Sequence, residues 1–517
     1  MSSFLLFFFV VAYFLLLLVV AWRTSRHSNN DSFYIGNRNS NWMLVAFGMI
    51  GTSLSGVTFV SVPGTVGDFT GASYKAFAYL QVIIGYWIGY FVIAFVLLPL
   101  YYRLNLTSIY NYLHSRFGVI AYRTGALFFI ISRTVGATAR LYLVINVLHT
   151  FILKDMGVPF ALTSFVILFM ILLYTFEGGV KTIVYTDTLQ TTFMLLGLVV
   201  CTVYILQHLH LSVGGAMQTL GAKGLTHTFN TDFNSKGFFL KQIIGGMFIA
   251  IAMTGLDQEM MQKNISVKNL RDSKKNVVVF SLIMVFVSFL FLLLGGLLYL
   301  YSLSQGAVYQ DVVHAGGAVS HELVLNGRNI IGDDLFPTLA LHYLPQAVSI
   351  IFIIGLISAL FPSADGALTA LTSSFCIDLL DLKNKPGLSE QQKKRTRMTV
   401  HVSFAVVFLL CILIFKWVNN KSIVNIILDL AGYTYGPLLG LFAFGIFTKR
   451  VLTNDWRITA LCLLAPVCCY FISTYSARWF GGFQIGIELL LINGILTFLG
   501  LYGLSRPASL TFRDSNP

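Results

Sequence analysis

The chain has 517 residues, 56% of them hydrophobic and only 11% charged, with a mean hydropathy of +0.78. That balance excludes a water-soluble globular protein and requires a bilayer as solvent. The formal charge of +13 needs no nucleic acid to account for it, because the basic residues are distributed as a membrane protein distributes them.

A helix needs roughly 20 mostly apolar residues to cross the hydrocarbon core. Thirteen runs of about that kind follow one another, at 4–22, 42–67, 75–101, 121–150, 158–176, 180–207, 238–262, 277–304, 345–380, 398–418, 421–447, 458–476 and 483–504. The first, "FLLFFFVVAYFLLLLVVAW", has no basic residue ahead of it and no small-residue cleavage site behind it, so it reads as a retained anchor. With an odd number of crossings the termini lie on opposite sides. An outer N-terminus puts 23 of the 34 Lys and Arg residues, among them Arg23, Arg26, Lys263, Lys394 and Arg513, in inner loops and the tail. This is the positive-inside bias and predicts a cytoplasmic C-terminus in a multi-pass cell-membrane protein.

No Pro- or Ser-rich linker interrupts the chain, and one membrane domain is expected over 1–517. Two long outer connections, 208–237 and 305–344, are expected to hold short interfacial helices. The inner segment "LKNKPGLSEQQKKRTRM" reads as a solvated cytosolic loop. The six cysteines lack metal-ligand spacing, and neither H-E-x-x-H nor a Ser/His/Asp pattern occurs, so no enzyme chemistry is expected. No obligate protein partner is indicated; the partners are the lipid bilayer and a small solute.

Two runs are interrupted by small and polar residues. The second reads "FGMIGTSLSGVTFVSVPGTVGDFTG" and the seventh "IIGGMFIAIAMTGLDQEMMQ". Backbone left unpaired at membrane depth must be buried against protein or line a wet cavity. Paired breaks at corresponding positions of two halves point to a transporter's midplane site. The expectation is an all-α fold of thirteen transmembrane helices, in which runs two to six (42–207) and seven to eleven (238–447) form inverted repeats. One extra helix (1–25) precedes them, and two helices with a tail (448–517) follow.

Charges inside membrane spans are costly and mark functional sites by default. Here they are Arg133, Arg140, Asp187, Asp257, Asp365, Asp429 and Glu488; Asp257, Asp429 and Glu488 lie near run ends and read as capping or snorkelling residues. In "SALFPSADG", Ala359, Pro362 and Ser363 share a helix face. Pro362 has no N–H and crowds the carbonyl of Ser358, so a bend is expected that frees backbone oxygen just before the Ser363 hydroxyl. Carbonyls freed around Gly51 to Leu54 would complete a cage of oxygen ligands, which suits an alkali cation rather than a transition metal.

At this point the residues resemble a known family. "GGVKTIVYTDTLQTTFMLLG", "GLDQEMMQKN", "GLISALFPSADGALTALTSSFCID" and "AGYTYGPLLGLFAFGIF" are similar to motifs of the sodium/solute symporters, which include the sodium/glucose cotransporters. The resemblance implies a LeuT-type five-plus-five inverted repeat and sodium-coupled import of a small organic solute by alternating access. It implies a main sodium site from the carbonyls of Gly51, Leu54 and Ala359 with hydroxyls at 362 and 363, where this chain has Pro362 and Ser363. A second cation or proton site would use Asp187 and the 365–366 region, here Asp365 and Gly366. The solute cavity is expected to draw on Ser53, Thr58, Lys75, Gln81, Arg133, Arg140, Thr254 and Gln258. Arg133 and Arg140, seven apart, favour an anionic solute such as a sugar acid, sialic acid or another carboxylate. A neutral sugar is the alternative, and a channel or a solute sensor without transport are more remote ones.

Overall fold

In hydrocarbon every backbone polar group must be satisfied within its own segment, so apolar runs of this length become helices. The computed structural model describes residues 3–25, 33–34, 36–67, 75–313, 319–385, 387–418 and 423–507. Every one of the thirteen runs falls on a helix or on a bent pair of helices. Arg26, Arg513 and positions 421–422 lie outside the described residues.

In chain order the elements are α1 (Ser3–Ser25), α2 (Trp42–Thr65), α3 (Tyr79–Arg103), the short α4 (Asn111–Phe117), α5 (Val119–Leu153), α6 (Phe160–Phe176), α7 (Gly179–His208) and α8 (Val213–Ala222). They continue with α9 (Phe239–Gly255), α10 (Gln258–Ile265), α11 (Leu270–Ser304), α12 (Leu335–His342), α13 (Gln346–Leu379), α14 (Glu390–Val418), α15 (Ile423–Thr434), α16 (Gly436–Phe447), α17 (Arg457–Trp479) and α18 (Leu489–Leu504). Among the described residues nine helices are long and apolar enough to cross a membrane. Two further pairs, α9 with α10 and α15 with α16, qualify together across bends of 65° and 45°, and α6 and α18 are shorter apolar helices.

Two outer connections depart from expectation. Segment 208–237 does carry a short helix, α8. Segment 305–344 carries α12 but also a three-stranded antiparallel sheet, β1 (Val308–Val313), β2 (Val319–Leu325) and β3 (Arg328–Asn329). The chain is therefore not wholly helical. The turn joining β2 to β3 is Asn326-Gly327, both in the left-handed region (φ 50° and 74°), which is the residue pair that a two-residue hairpin demands. The inner charged segment also differs from a plain loop, because α14 begins at Glu390 and takes up its second half.

Breaks in the helices position the site. In α2 the dihedrals leave the helical region at Ser55 (φ 49°, ψ 176°). Gly179 (φ 51°) separates α6 from α7, where a side chain would collide with the backbone of Phe33. Between α9 and α10, a π-turn over Ile251–Gly255 runs into the bend at Leu256 and Asp257. In contrast, α13 keeps helical dihedrals straight through Pro362, so the expected bend is absorbed without a break. Helices α3 and α9 cross backbone to backbone: a Cβ on Gly246 would lie 2.5 Å from the Val82 carbonyl oxygen, and one on Gly89 2.5 Å from that of Met247. Small residues at such crossings let helices approach closely where lipid offers no hydrophobic drive to associate.

Candidate functional site

The non-helical dihedrals of Ser55 mark the point in α2 at which carbonyls of the preceding turn, Gly51 to Leu54, are candidates to turn from helix bonding toward a ligand. That turn is buried against α13. A Cβ on Gly51 would sit 3.6 Å from Cγ of Pro362, and one on Gly56 3.9 Å from the carbonyl oxygen of Ala359. The Gly51 amide donates to the Thr191 hydroxyl of α7 at 3.1 Å. The Ser363 hydroxyl donates to the Leu360 carbonyl at 3.1 Å, which leaves its oxygen lone pairs able to accept a cation. Of the residues expected at the main ion site, Gly51 thus meets Pro362, and its neighbour Gly56 meets Ala359, at a buried seam between α2 and α13, while Leu54 and Ser363 are buried on the same two helices.

Beside that seam is a buried network of charge. Lys263 of α10 reaches the Asp187 carboxylate of α7 at 2.6 Å and the Thr52 hydroxyl of α2 at 2.7 Å, with Glu259 at 3.6 Å. Thr52 also donates to Asp187 at 3.2 Å. Arg133 of α5 pairs with Glu259 and stands 3.9 Å from Asp257. Asp257 caps α10, accepting from the amides of Glu259 and Met260 at 2.9 and 3.3 Å, and accepts from the Tyr435 hydroxyl at 3.0 Å. Asp365 accepts from the Tyr174 hydroxyl at 2.8 Å and is close enough to Asp187 and Lys263 to interact through charge. A side chain at Gly366 would collide with Glu259. Asp187, Asp257 and Glu259 are thus paired directly with Arg133 and Lys263, with Arg140 within charge range of Asp257 and Glu259, and among the described residues Oδ1 of Asp187 has no hydrogen-bond partner. Buried carboxylates beside a broken helix are candidate partners for a cation or a proton.

Run position assigns Lys263 to the inner-loop cations, and the structure corrects that. The side chain is buried, 3% exposed, and ion-paired. The signal was present: Glu259 and Lys263 are four apart, the spacing at which side chains meet on a helix face. Thr52, Thr191, Tyr174 and Glu259, ordinary helix residues in sequence, and Tyr435, at the bend between α15 and α16, gain meaning only from their neighbours.

The expected solute residues separate into groups. Ser53, Thr58 and Arg140 line one small cavity with the broken turn of α2, Tyr79 and Tyr86 of α3 and Met253 of α9. Its volume, ≈ 60 Å³, is well below the roughly 300–1,000 Å³ of a pocket that encloses a small organic ligand, so such a solute enters only when helices part. Arg140 makes no hydrogen bond or ion pair among the described residues, whereas Arg133 is committed to Glu259. Gln81 and Gln258 do not reach the cavity, because their amides serve backbone: Gln81 donates to Ala78 at 3.0 Å and accepts from Asn230 at 3.3 Å. Gln258 accepts from Ile109 at 3.0 Å and donates to Thr107 at 3.1 Å. Thr254 is buried in the π-turn beside Tyr90, and Lys75 is exposed ahead of α3.

Comparison with known proteins bears on this arrangement. The profile described as "Sodium:solute symporter family" matches residues 33–455. The sodium/sialic acid symporter NanT of Aliivibrio fischeri (strain ATCC 700601 / ES114) is 24% identical over 483 residues, covering 91% of this chain and 88% of that protein. Sodium/glucose cotransporter 1 of Ovis aries is 21% identical, covering 81% and 64%. Among solved structures, a Na⁺-coupled sialic acid symporter in a substrate-bound outward-open state superposes with a TM-score of 0.77 at 18% identity, covering 96% of both chains. The nucleobase-cation-symport-1 transporter Mhp1 reaches 0.54 at 12% identity, covering 92% and 93%. The mostly helical, LeuT-like fold of these transporters is the fold seen here.

Proposed function

The chain belongs to the sodium:solute symporter family, and from that premise we propose that it couples inward sodium movement to import of a small organic anion by alternating access. The relatives include sodium/sialic acid symporters, which favours a sugar acid or related carboxylate. The observation that carries the anionic reading is the division of labour between the two arginines. Arg133 is neutralised by Glu259, while Arg140, which makes no hydrogen bond or ion pair among the described residues, lines the cavity beside the broken turn of α2. A guanidinium binds a carboxylate through two parallel hydrogen bonds, which supplies orientation as well as charge.

In this reading sodium sits between the freed carbonyls of Gly51 and Leu54, the Ala359 carbonyl and the Ser363 hydroxyl. Pro362 contributes no hydroxyl, so the cage holds one ligand fewer from α13. A cation held by two segments that part during the cycle shifts the equilibrium by its differential affinity for the two arrangements, and that difference is the coupling. The carboxylates of Asp187 and Asp365 form the region of a second cation or proton site. We take α6, α18 and each bent pair as crossings, which gives thirteen. The inverted repeats then span 42–207 and 238–447 within a single domain, with the N-terminus outside and the C-terminus in the cytoplasm.

The test is uptake into proteoliposomes under imposed sodium gradients, with a sialic acid, a monocarboxylate and glucose as solutes. Uphill accumulation of the acid that collapses without sodium is expected. Replacing Ser363→Ala should raise the sodium concentration for half-maximal uptake about tenfold or more, in line with roughly 1.5–3 kcal/mol for a contact to a charged group. Arg140→Gln should abolish uptake of the acid. Sodium-independent uptake, or preference for glucose that survives in Arg140→Gln, would overturn the reading; flux that never runs uphill would indicate a channel, and binding without flux a sensor.

A further inference from the structure

The Lys263 ammonium is held as an alkali cation would be. Helix α10 turns it inward, against α2 and α7, where its partners are Asp187 Oδ2 at 2.6 Å, the Thr52 hydroxyl at 2.7 Å and Glu259 Oε1 at 3.6 Å. Carboxylate and hydroxyl oxygens are the ligands a hard cation takes. The protons are consistent with this: Thr52 accepts from the ammonium, which can only donate, and passes its own proton to Asp187 at 3.2 Å. The other buried cations are placed elsewhere. Arg133 pairs with Glu259 and stands 3.9 Å from Asp257, and Arg140 lies within charge range of those same two carboxylates. Among the described residues Lys263 is therefore the cation in direct contact with Asp187. Asp365 lies within charge range of both. Packing around the pair is close, since a Cβ on Gly48 would lie 3.0 Å from Cβ of Asp187, and one on Gly366 would collide with Glu259.

Resting on the sodium-coupled reading above, we propose that Lys263 is a tethered cation occupying the second cation place at Asp187, so that the chain binds and moves a single sodium ion, the one between α2 and α13. A ligand shifts a conformational equilibrium by binding one arrangement better than the other. It draws on a gradient only because it arrives from one side and leaves on the other. An ammonium bonded to the chain does neither, so it satisfies the Asp187 carboxylate without adding a coupled ion. Removing the lysine side chain while keeping the carboxylate should open that place to sodium.

The full chain, purified in dodecyl maltoside, is titrated with sodium chloride while choline chloride holds the ionic strength. Radioactive sodium bound per chain is counted, and thermal unfolding is followed in parallel. Wild type should bind one ion and Lys263→Ala two. Sodium should also raise the melting temperature of the variant more than that of wild type, since an ion bound only by the folded state stabilises it. Lys263→Ala/Ser363→Ala should keep one ion, at Asp187. Lys263→Met/Asp187→Asn, which lacks both the tether and its carboxylate, should match wild type at one. That variant decides the matter even where Lys263→Ala does not fold, because an ion held at Asp187 in wild type would be lost from it. Two ions in wild type, one ion fewer in Lys263→Met/Asp187→Asn than in wild type, or no gain in folded Lys263→Ala would overturn the proposal. No ion in wild type with one in Lys263→Ala would remove the seam between α2 and α13 as a sodium site and leave the tethered cation standing.

Discussion

Lys263 is the residue whose role changes most between sequence and structure. Its ammonium joins Asp187, Thr52 and Glu259 in a site that water does not reach. Removing one partner of a buried pair leaves an uncompensated charge, at a cost of about 3–5 kcal/mol. Lys263→Met should therefore lower the melting temperature sharply, and Lys263→Met/Asp187→Asn should recover most of the loss. If the double variant is no more stable than the single one, the pair is not what holds Lys263. Ser55 makes a second point. A non-glycine residue at φ 49° carries strain, so Ser55→Gly should retain or slightly raise stability, whereas Ser55→Val should unfold the break; thermal unfolding in detergent reads both. Of the residues proposed for the ion site, Gly51, Pro362 and Ser363 stand out in sequence because glycine, proline and hydroxyls are conspicuous in apolar runs, while Leu54 and Ala359 gain their role as ligands only through the family resemblance. The ion-pair partners do not stand out, because a basic residue near the end of a run looks the same whether it faces water or turns inward.

At the level of elements, hydrophobic run length located every long helix, and small polar interruptions located the breaks of α2 and of α9 with α10. What run length does not carry is how a break is made. The second run breaks at one strained serine, the seventh through a π-turn and a 65° bend, and the proline of α13, the plainest breaker in the sequence, breaks nothing. Pro362 is accommodated because only one donor is lost, and the surrounding helices hold the rest in place. The sheet in 305–344 is marked in sequence only by its Asn326-Gly327 turn, because neither "VYQDVV" nor "VSHELVL" alternates apolar with polar residues. The contact between α3 and α9 depends on missing side chains. Gly246→Val would drive a methyl-bearing carbon onto the Val82 carbonyl, where backbone cannot yield; overpacking costs about 1–3 kcal/mol even where side chains can adjust. We expect loss of folded protein on size-exclusion chromatography, with Gly246→Ala intermediate; a wild-type profile for the valine variant would contradict the crossing.

For the whole molecule, the distribution of basic residues predicts sidedness. With the N-terminus outside, a cysteine in place of Lys385 should react with a membrane-impermeant maleimide only after the cells are opened. One in place of Lys223, on the far side, should react in intact cells. Both positions are exposed, so the reverse pattern would invert the topology rather than leave it open. The cavity joins residues from Ser53 to Leu428, which is why single motifs pointed to the region but none described it. The glycine crossing of α3 with α9 has a mechanical meaning at this scale. Two rods seated backbone on backbone have no slack, so neither slides without the other, and whatever rearrangement admits solute must carry them as a single lever. A short chemical tether joining those two helices should leave turnover untouched, while the same tether laid from α2 to α13, across the ion seam, should jam it.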